Sequence, residues 1–168
     1  IISVPSSTKN KEKKRDPDAH QVKKGNTWHF GYKAHIGVDR DSGLVHTVEA
    51  TAANVHDATE TSKLLTGDED EVYGDSGYLG AEKRGDAIIR NKAGRKIKYR
   101  INRRPSQVKK LSKSGQYAAK KAEHAKSSVR AKVEHAFGVV KKQLRFRKTR
   151  YRGFEKQRAK FNIMFALA

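Results

Sequence analysis

Cysteine is absent from the 168 residues, which excludes disulfides, cysteine-ligated zinc and thiol nucleophiles together. The absence also fits a reducing cytoplasm. No apolar run approaches the length of a membrane span, and the opening IISVPSSTKNKEKKRD lacks the charged-then-apolar order of a signal peptide. An initiating methionine is missing too, so the chain is expected to be cut from something longer. Hydrophobic residues make up 35% and charged residues 33%, so the core must be compact, yet the length suffices for one domain.

Negative charge is scarce in one half only. Residues 1 to 81 carry 10 Lys/Arg against 13 Asp/Glu, a net of −3, whereas residues 82 to 160 carry 28 against 5, a net of +23. The partner such a half suggests is a polyanion, most plausibly nucleic acid, because neutralising phosphates releases condensed counterions. A membrane surface would need a long apolar face beside the basic one, and only short apolar stripes are present.

Hydrophobic periodicity gives the order of elements. Residues 1 to 27 read as a mostly polar loop after the tail of a truncated first strand (Ile1, Ile2, Val4), and 28 to 168 as the folded core. From Trp28 to Val38 apolar residues alternate, with Trp28, Phe30, Tyr32, Ala34, Ile36 and Val38 on one face. The turn DRDSG and the strand LVHTVEA complete a hairpin. Helices are expected over 56–65, over 81–92 despite Gly85, and from about Gln116 to Leu144. Short strands are expected at VYGD and at 96–101. The sum is an α/β fold with a mixed sheet flanked by helices.

Two carboxylates stand out. Asp75 ends the short apolar run in EVYGDSGYLG, directly before a tight turn through Gly77. On a helical wheel Val129, Val133, Phe137, Val140 and Leu144 form a packing stripe. Arg130, Glu134 and Lys141 gather within about 40° beside it. Each carboxylate has a plain structural reading as well. Aspartate before glycine shapes turns, and Arg130–Glu134 is an i,i+4 ion pair worth a few tenths of a kcal/mol. His29 and His35 share the opposite strand face and are expected to be exposed, with no close partner to complete a ligand set. Seven of the twelve residues from 141 to 152 are basic, interleaved with Phe146 and Tyr151. Lys141, Lys142, Arg145, Arg147 and Arg150 can reach phosphates, while the aromatics either touch the nucleic acid or anchor the segment.

Taken together these residues carry a resemblance. Arg130, Glu134 and Lys141, with VEHAFGVVKKQLRFRKTRYRG around them, resemble the signature about the last acid of bacterial insertion-sequence transposases of the DDE class. YGDSGYLG resembles the segment holding that family's second catalytic aspartate, and DPDAHQVKKGNTWHFGYKAHIGVDRDSGLV the stretch between its first and second acids. The resemblance implies an RNase H-like fold and metal-dependent DNA cleavage and strand transfer. It implies Asp75 and Glu134 as catalytic ligands of magnesium or manganese, and Arg130 and Lys141 as contacts to DNA. Element ends and target DNA would be the partners, with a homo-oligomer in the synaptic complex and a bacterial, nucleoid-associated location. Two departures accompany it: Ser127 stands where the family usually has tyrosine, and the first catalytic aspartate would fall before Ile1. The chain is therefore expected to be inactive alone. A non-catalytic DNA-binding remnant is the alternative.

Overall fold

The computed structural model describes residues 1–168. In chain order its elements are β1 (Ile2–Ser3), β2 (His20–Lys24), β3 (Thr27–Val38), β4 (Val45–Ala52), α1 (Thr61–Leu64), β5 (Glu71–Gly74), β6 (Lys98–Ile101), α2 (Pro105–Lys109), α3 (Lys113–Gly138) and α4 (Phe154–Ala166). Short 3-10 turns occupy Asp57–Glu60, Ser76–Tyr78 and Ala81–Lys83, and a π-turn follows α3 at Val139–Gln143. The chain divides into two compact units, one made of residues 1–55 with 135–168 and the other of residues 56–134. The architecture is mixed α/β, but the expected single mixed sheet is realised as two sheets, one antiparallel and one parallel.

The first unit is built around β3. Gly31 pairs with Ser3 and with His20, so β1 and β2 lie on opposite edges of β3. β4 runs antiparallel to β3 from Tyr32↔Ala52 to Val38↔Val45. A side chain at Gly31 would overlap the backbone carbonyl of Ile2, so only glycine lets β1 approach. α4 packs against β4 and buries Gln157, Phe161 and Phe165. Phe146 meets Phe161 edge-on at 6.0 Å, and Phe137 meets Phe165 at 5.2 Å.

Residues 1–27 are not simply a polar loop. HQVKK forms β2 because it pairs with Thr27–Gly31, although only its central valine is even half-buried. Asp16, 3% exposed, accepts from the hydroxyl of fully buried Tyr32 at 2.9 Å and from the backbone N–H of Gly153 at 3.1 Å. Asp18 accepts from the N–H of Phe154 at 3.0 Å. The two aspartates thus cap the first turn of α4, where unsatisfied N–H groups and the helix dipole favour anions. Burial, then Asp16, pushes the Tyr32 hydroxyl pKa far up, so it stays a donor. Arg152 ties the same loop down through Asn10, Glu12 and the carbonyls of Lys14 and Arg15. Asp16→Ala orphans the buried Tyr32 hydroxyl and the half-buried Gly153 N–H, and should cost about 3 kcal/mol in urea unfolding. Tyr32→Phe should cost less, since Asp16 keeps its backbone partners.

The second unit holds the parallel pair β5–β6, in register from Glu71↔Lys98 to Gly74↔Ile101. Two expected helices are much shorter here. Residues 56–65 give one 3-10 turn and one α-turn. Of 81–92 only Ala81–Lys83 coils, because local side chains outbid the helix. Asp86 accepts from Arg84 Nε and Ser62 Oγ, and Asn91 closes a turn onto Arg95. α3 matches the expected long helix as far as Gly138. Beyond it the i→i+5 bond from Leu144 N to Val139 O widens the coil, and Leu144 is left 37% exposed. The strand histidines also differ from expectation. His35 is buried, 3% exposed, and its Nε2 lies 2.8 Å from Thr51 Oγ1, while His29 is half-buried.

Candidate active site and nucleic-acid interface

β5 delivers Asp75 to the end of the parallel pair. Its φ of −78° and ψ of 178° continue the strand, and its Oδ1 accepts from Gly77 N at 2.8 Å to cap the 3-10 turn that follows. The turn-shaping role is therefore real, and it uses one oxygen of an exposed carboxylate. Immediately before it, Gly74 is buried, and a side chain there would press on Ile101, its partner on β6.

Glu134 sits on α3 with its side chain 70% exposed, paired with Arg130 Nη2 at a long 3.4 Å. The expected stripe beside it is partly formed. Val140 is fully buried, whereas Val129, Val133 and Phe137 are half-buried. Arg130 is the better-held member of the pair. Its Nη1 donates to Asn102 Oδ1 at 3.0 Å, and Asn102, 8% exposed, donates its backbone N–H to the carbonyl of Gly74 at 2.9 Å. A hydrogen-bond chain thus runs from the residue before Asp75, through Asn102, to Arg130 and Glu134. The Asn102 amide also donates to Glu123 Oε2 at 2.7 Å and reaches Ser127 Oγ at 3.4 Å. Asn102 was not singled out from the sequence. Its position directly after the last residue of β6 was the available signal.

The basic segment belongs to the other unit. Lys141 lies in the π-turn with its Nζ 5.3 Å from the Phe137 ring centroid, a cation–π contact. Phe146 and Thr149 point inward, while Lys142, Arg145, Arg147, Lys148, Arg150 and Tyr151 are exposed. Backbone bonds from Ser3 N to Arg147 O and from Thr149 N to Ser3 O pin the segment beside β1. The aromatics therefore split: Phe146 anchors and Tyr151 is offered to solvent. A depression of about 460 Å³ lined by Pro5, Lys148, Thr149 and Arg150 lies on this surface.

Residues 1–168, the whole length, match the family described as the transposase DDE domain. The chain belongs to that family. No solved structure matches it. DDE transposases cleave DNA in transposition and generally use divalent metal ions. No helix of this member is long and apolar enough to cross a membrane.

The DDE domain's metal requirement can be tested against the donors present. No group of three or more His, Asp or Glu side chains is assembled for a metal. In kind the donors fit: carboxylate oxygens suit magnesium and manganese. A second carboxylate does stand near Asp75. Asp57, in the 3-10 turn Asp57–Glu60, brings its Oδ2 within 2.7 Å of the point a Cβ on Gly77 would occupy, and Asp75 Oδ1 lies 2.9 Å from that same point. Burial, then the charges of Asp57, Asp75 and Glu60, push the Tyr78 hydroxyl pKa well above its usual range.

Proposed function

We infer that residues 28–168 form the RNase H-like catalytic core of a DDE transposase, in which Asp75 and Glu134 hold divalent magnesium or manganese. The metals, when bound, would activate the attacking oxygen and stabilise the leaving one in phosphodiester displacement. Asp75 offers the carboxylate oxygen its turn leaves unused, and Glu134 offers an exposed carboxylate from a rigid helix. Arg130, fixed by Asn102, holds a phosphate oxygen near the scissile bond. Lys141, Lys142, Arg145, Arg147 and Arg150 grip the DNA backbone. Water as attacker gives nicking at the element end, and a 3′ hydroxyl gives strand transfer. A homo-oligomer would bring two element ends together.

The single observation that carries this reading is the hydrogen-bond chain Gly74–Asn102–Arg130–Glu134, which supports joint action by the two carboxylates. The family's first aspartate would lie ahead of Ile1, so the 168 residues alone are expected to cleave poorly. A plasmid-nicking assay with magnesium or manganese tests this. A chain extended upstream to supply that aspartate should nick, the 168-residue chain should not, and chelation should stop the reaction. Nicking by neither form would favour the second reading, a DNA-binding remnant, for which the basic exposed segment is sufficient.

A further inference from the structure

We propose that Glu123 is a positioning residue: acting through the side-chain amide of Asn102, it sets the Arg130 guanidinium where it meets DNA. The inference rests on the phosphate contact assigned to Arg130 above. It adds an acid whose removal should weaken the hold on a polyanion.

The amide of Asn102 can work in one orientation only. A half turn about its last bond exchanges oxygen for nitrogen, and Arg130, a donor at every nitrogen, needs the oxygen. Asn102 Oδ1 lies 3.0 Å from Arg130 Nη1. The half turn is blocked from the far end. There Asn102 Nδ2 donates to Glu123 Oε2 at 2.7 Å and to the Glu123 backbone carbonyl at 3.2 Å. A carboxylate only accepts, so a flipped amide would set oxygen against oxygen at Glu123 and donor against donor at Arg130. The shorter of the two bonds is the charged one, and charge-assisted bonds are roughly twice as strong as neutral ones.

The carboxylate is itself held in place. Its Oε2 also accepts from Arg103 N at 2.9 Å, and its Oε1 from Lys126 Nζ at 2.8 Å. Lys126 Nζ donates in turn to the Ile101 carbonyl at 2.9 Å, so one turn of α3 grips the chain where β6 ends. Burial works to raise the Glu123 carboxyl pKa, but the bonds from Lys126, Arg103 and Asn102 outweigh it and hold it below its ordinary value. The group is therefore charged at neutral pH. Its side chain is 16% exposed, so that charge is spent on the strand end rather than on solvent. Arg130 stands about two turns farther along α3 on the same face, and Asn102 bridges the interval.

The test measures the affinity of the 168-residue chain for a labelled duplex by fluorescence anisotropy, with a melting curve for each variant. On charge alone, removing an acid strengthens binding to DNA. Glu123→Met keeps the length and helix propensity of the side chain, and should instead weaken binding about fivefold. Glu123→Gln should regain most of that loss, because the Arg103 N–H draws its amide oxygen to the side where Asn102 donates. In an Arg130→Ala chain, itself weaker by about tenfold, Glu123→Met should weaken binding no further. The η-proton signals of Arg130, kept apart in the unaltered chain by restricted rotation, should merge in Glu123→Met and separate again in Glu123→Gln. Binding by Glu123→Met at or above unaltered strength, or an equal loss with and without Arg130, overturns the proposal and leaves Glu123 a staple between β6 and α3. Merged η signals in the unaltered chain overturn it without any variant. If Arg130→Ala binds DNA normally, the phosphate contact falls and this proposal falls with it.

Discussion

Glu134→Gln, introduced into a chain that carries all its acids, is expected to lower DNA strand cleavage about 10³-fold while DNA affinity and thermal midpoint barely move. The size follows from the role assigned to the carboxylate. A metal site supplies several kcal/mol of transition-state stabilisation, and each 1.36 kcal/mol is tenfold in rate. Losing one ligating charge removes much of that. The stability side is small for a reason visible in the structure. The side chain is 70% exposed and its ion pair with Arg130 is long, the class of pair worth a few tenths of a kcal/mol at most. Arg130 keeps its Asn102 partner in the variant, so the phosphate contact proposed for it is expected to persist. A purely structural Glu134, the bland i,i+4 partner, predicts the reverse pattern: normal nicking and a shift of a degree or so in melting. Nicking, melting and gel-shift measurements on one preparation separate the two, and normal cleavage by Glu134→Gln removes the residue from the site.

What the sequence made legible was what local chemistry decides. Alternation from Trp28 to Val38 and the turn DRDSG located β3, β4 and their pairing, since a half-buried hairpin writes its register in period two. Glycine after a short apolar run located β5 and put Asp75 at its end. The uninterrupted Ala, Lys and Glu run located α3.

The remainder was decided elsewhere in the chain. β2 has one valine among polar residues and is a strand only because β3 supplies its ladder. The N-terminus of α4 is capped by Asp16 and Asp18, more than a hundred residues away, so no local capping signal marks it. Its spacing of Gln157, Phe161 and Phe165 was nonetheless a readable buried face. His35 and Trp28 traded places against expectation. The histidine is buried because Thr51 across the strand pair satisfies its ring nitrogen, and the tryptophan is 64% exposed with Lys23 over its ring. Within the candidate site, Asp75 and Glu134 came from motif and spacing. Asn102 has no motif of its own and becomes visible only once the strand ends are placed.

DNA affinity should fall about 10³-fold between 50 and 200 mM salt, the behaviour expected when about six phosphates are neutralised. The six cations that would neutralise them are Arg130, Lys141, Lys142, Arg145, Arg147 and Arg150. Their setting makes the prediction specific, because the chain is strongly basic overall and any such protein binds DNA loosely. The segment from 145 to 150 is held by Phe146 and Thr149 below and by Ser3 beside it, so its outward side chains keep one spacing rather than wandering. Lys142→Ala with Arg150→Ala removes two exposed cations without touching either anchor. It should therefore reduce the slope of log affinity against log salt by about two, with the melting curve unchanged. Fluorescence anisotropy with a labelled duplex gives the slope directly. A slope unaltered by the double variant would mean that the charge is diffuse and that this segment has no privileged place on the DNA. A slope lowered by two, on duplexes of unrelated sequence alike, would make it a backbone grip that leaves sequence choice to other parts of the protein.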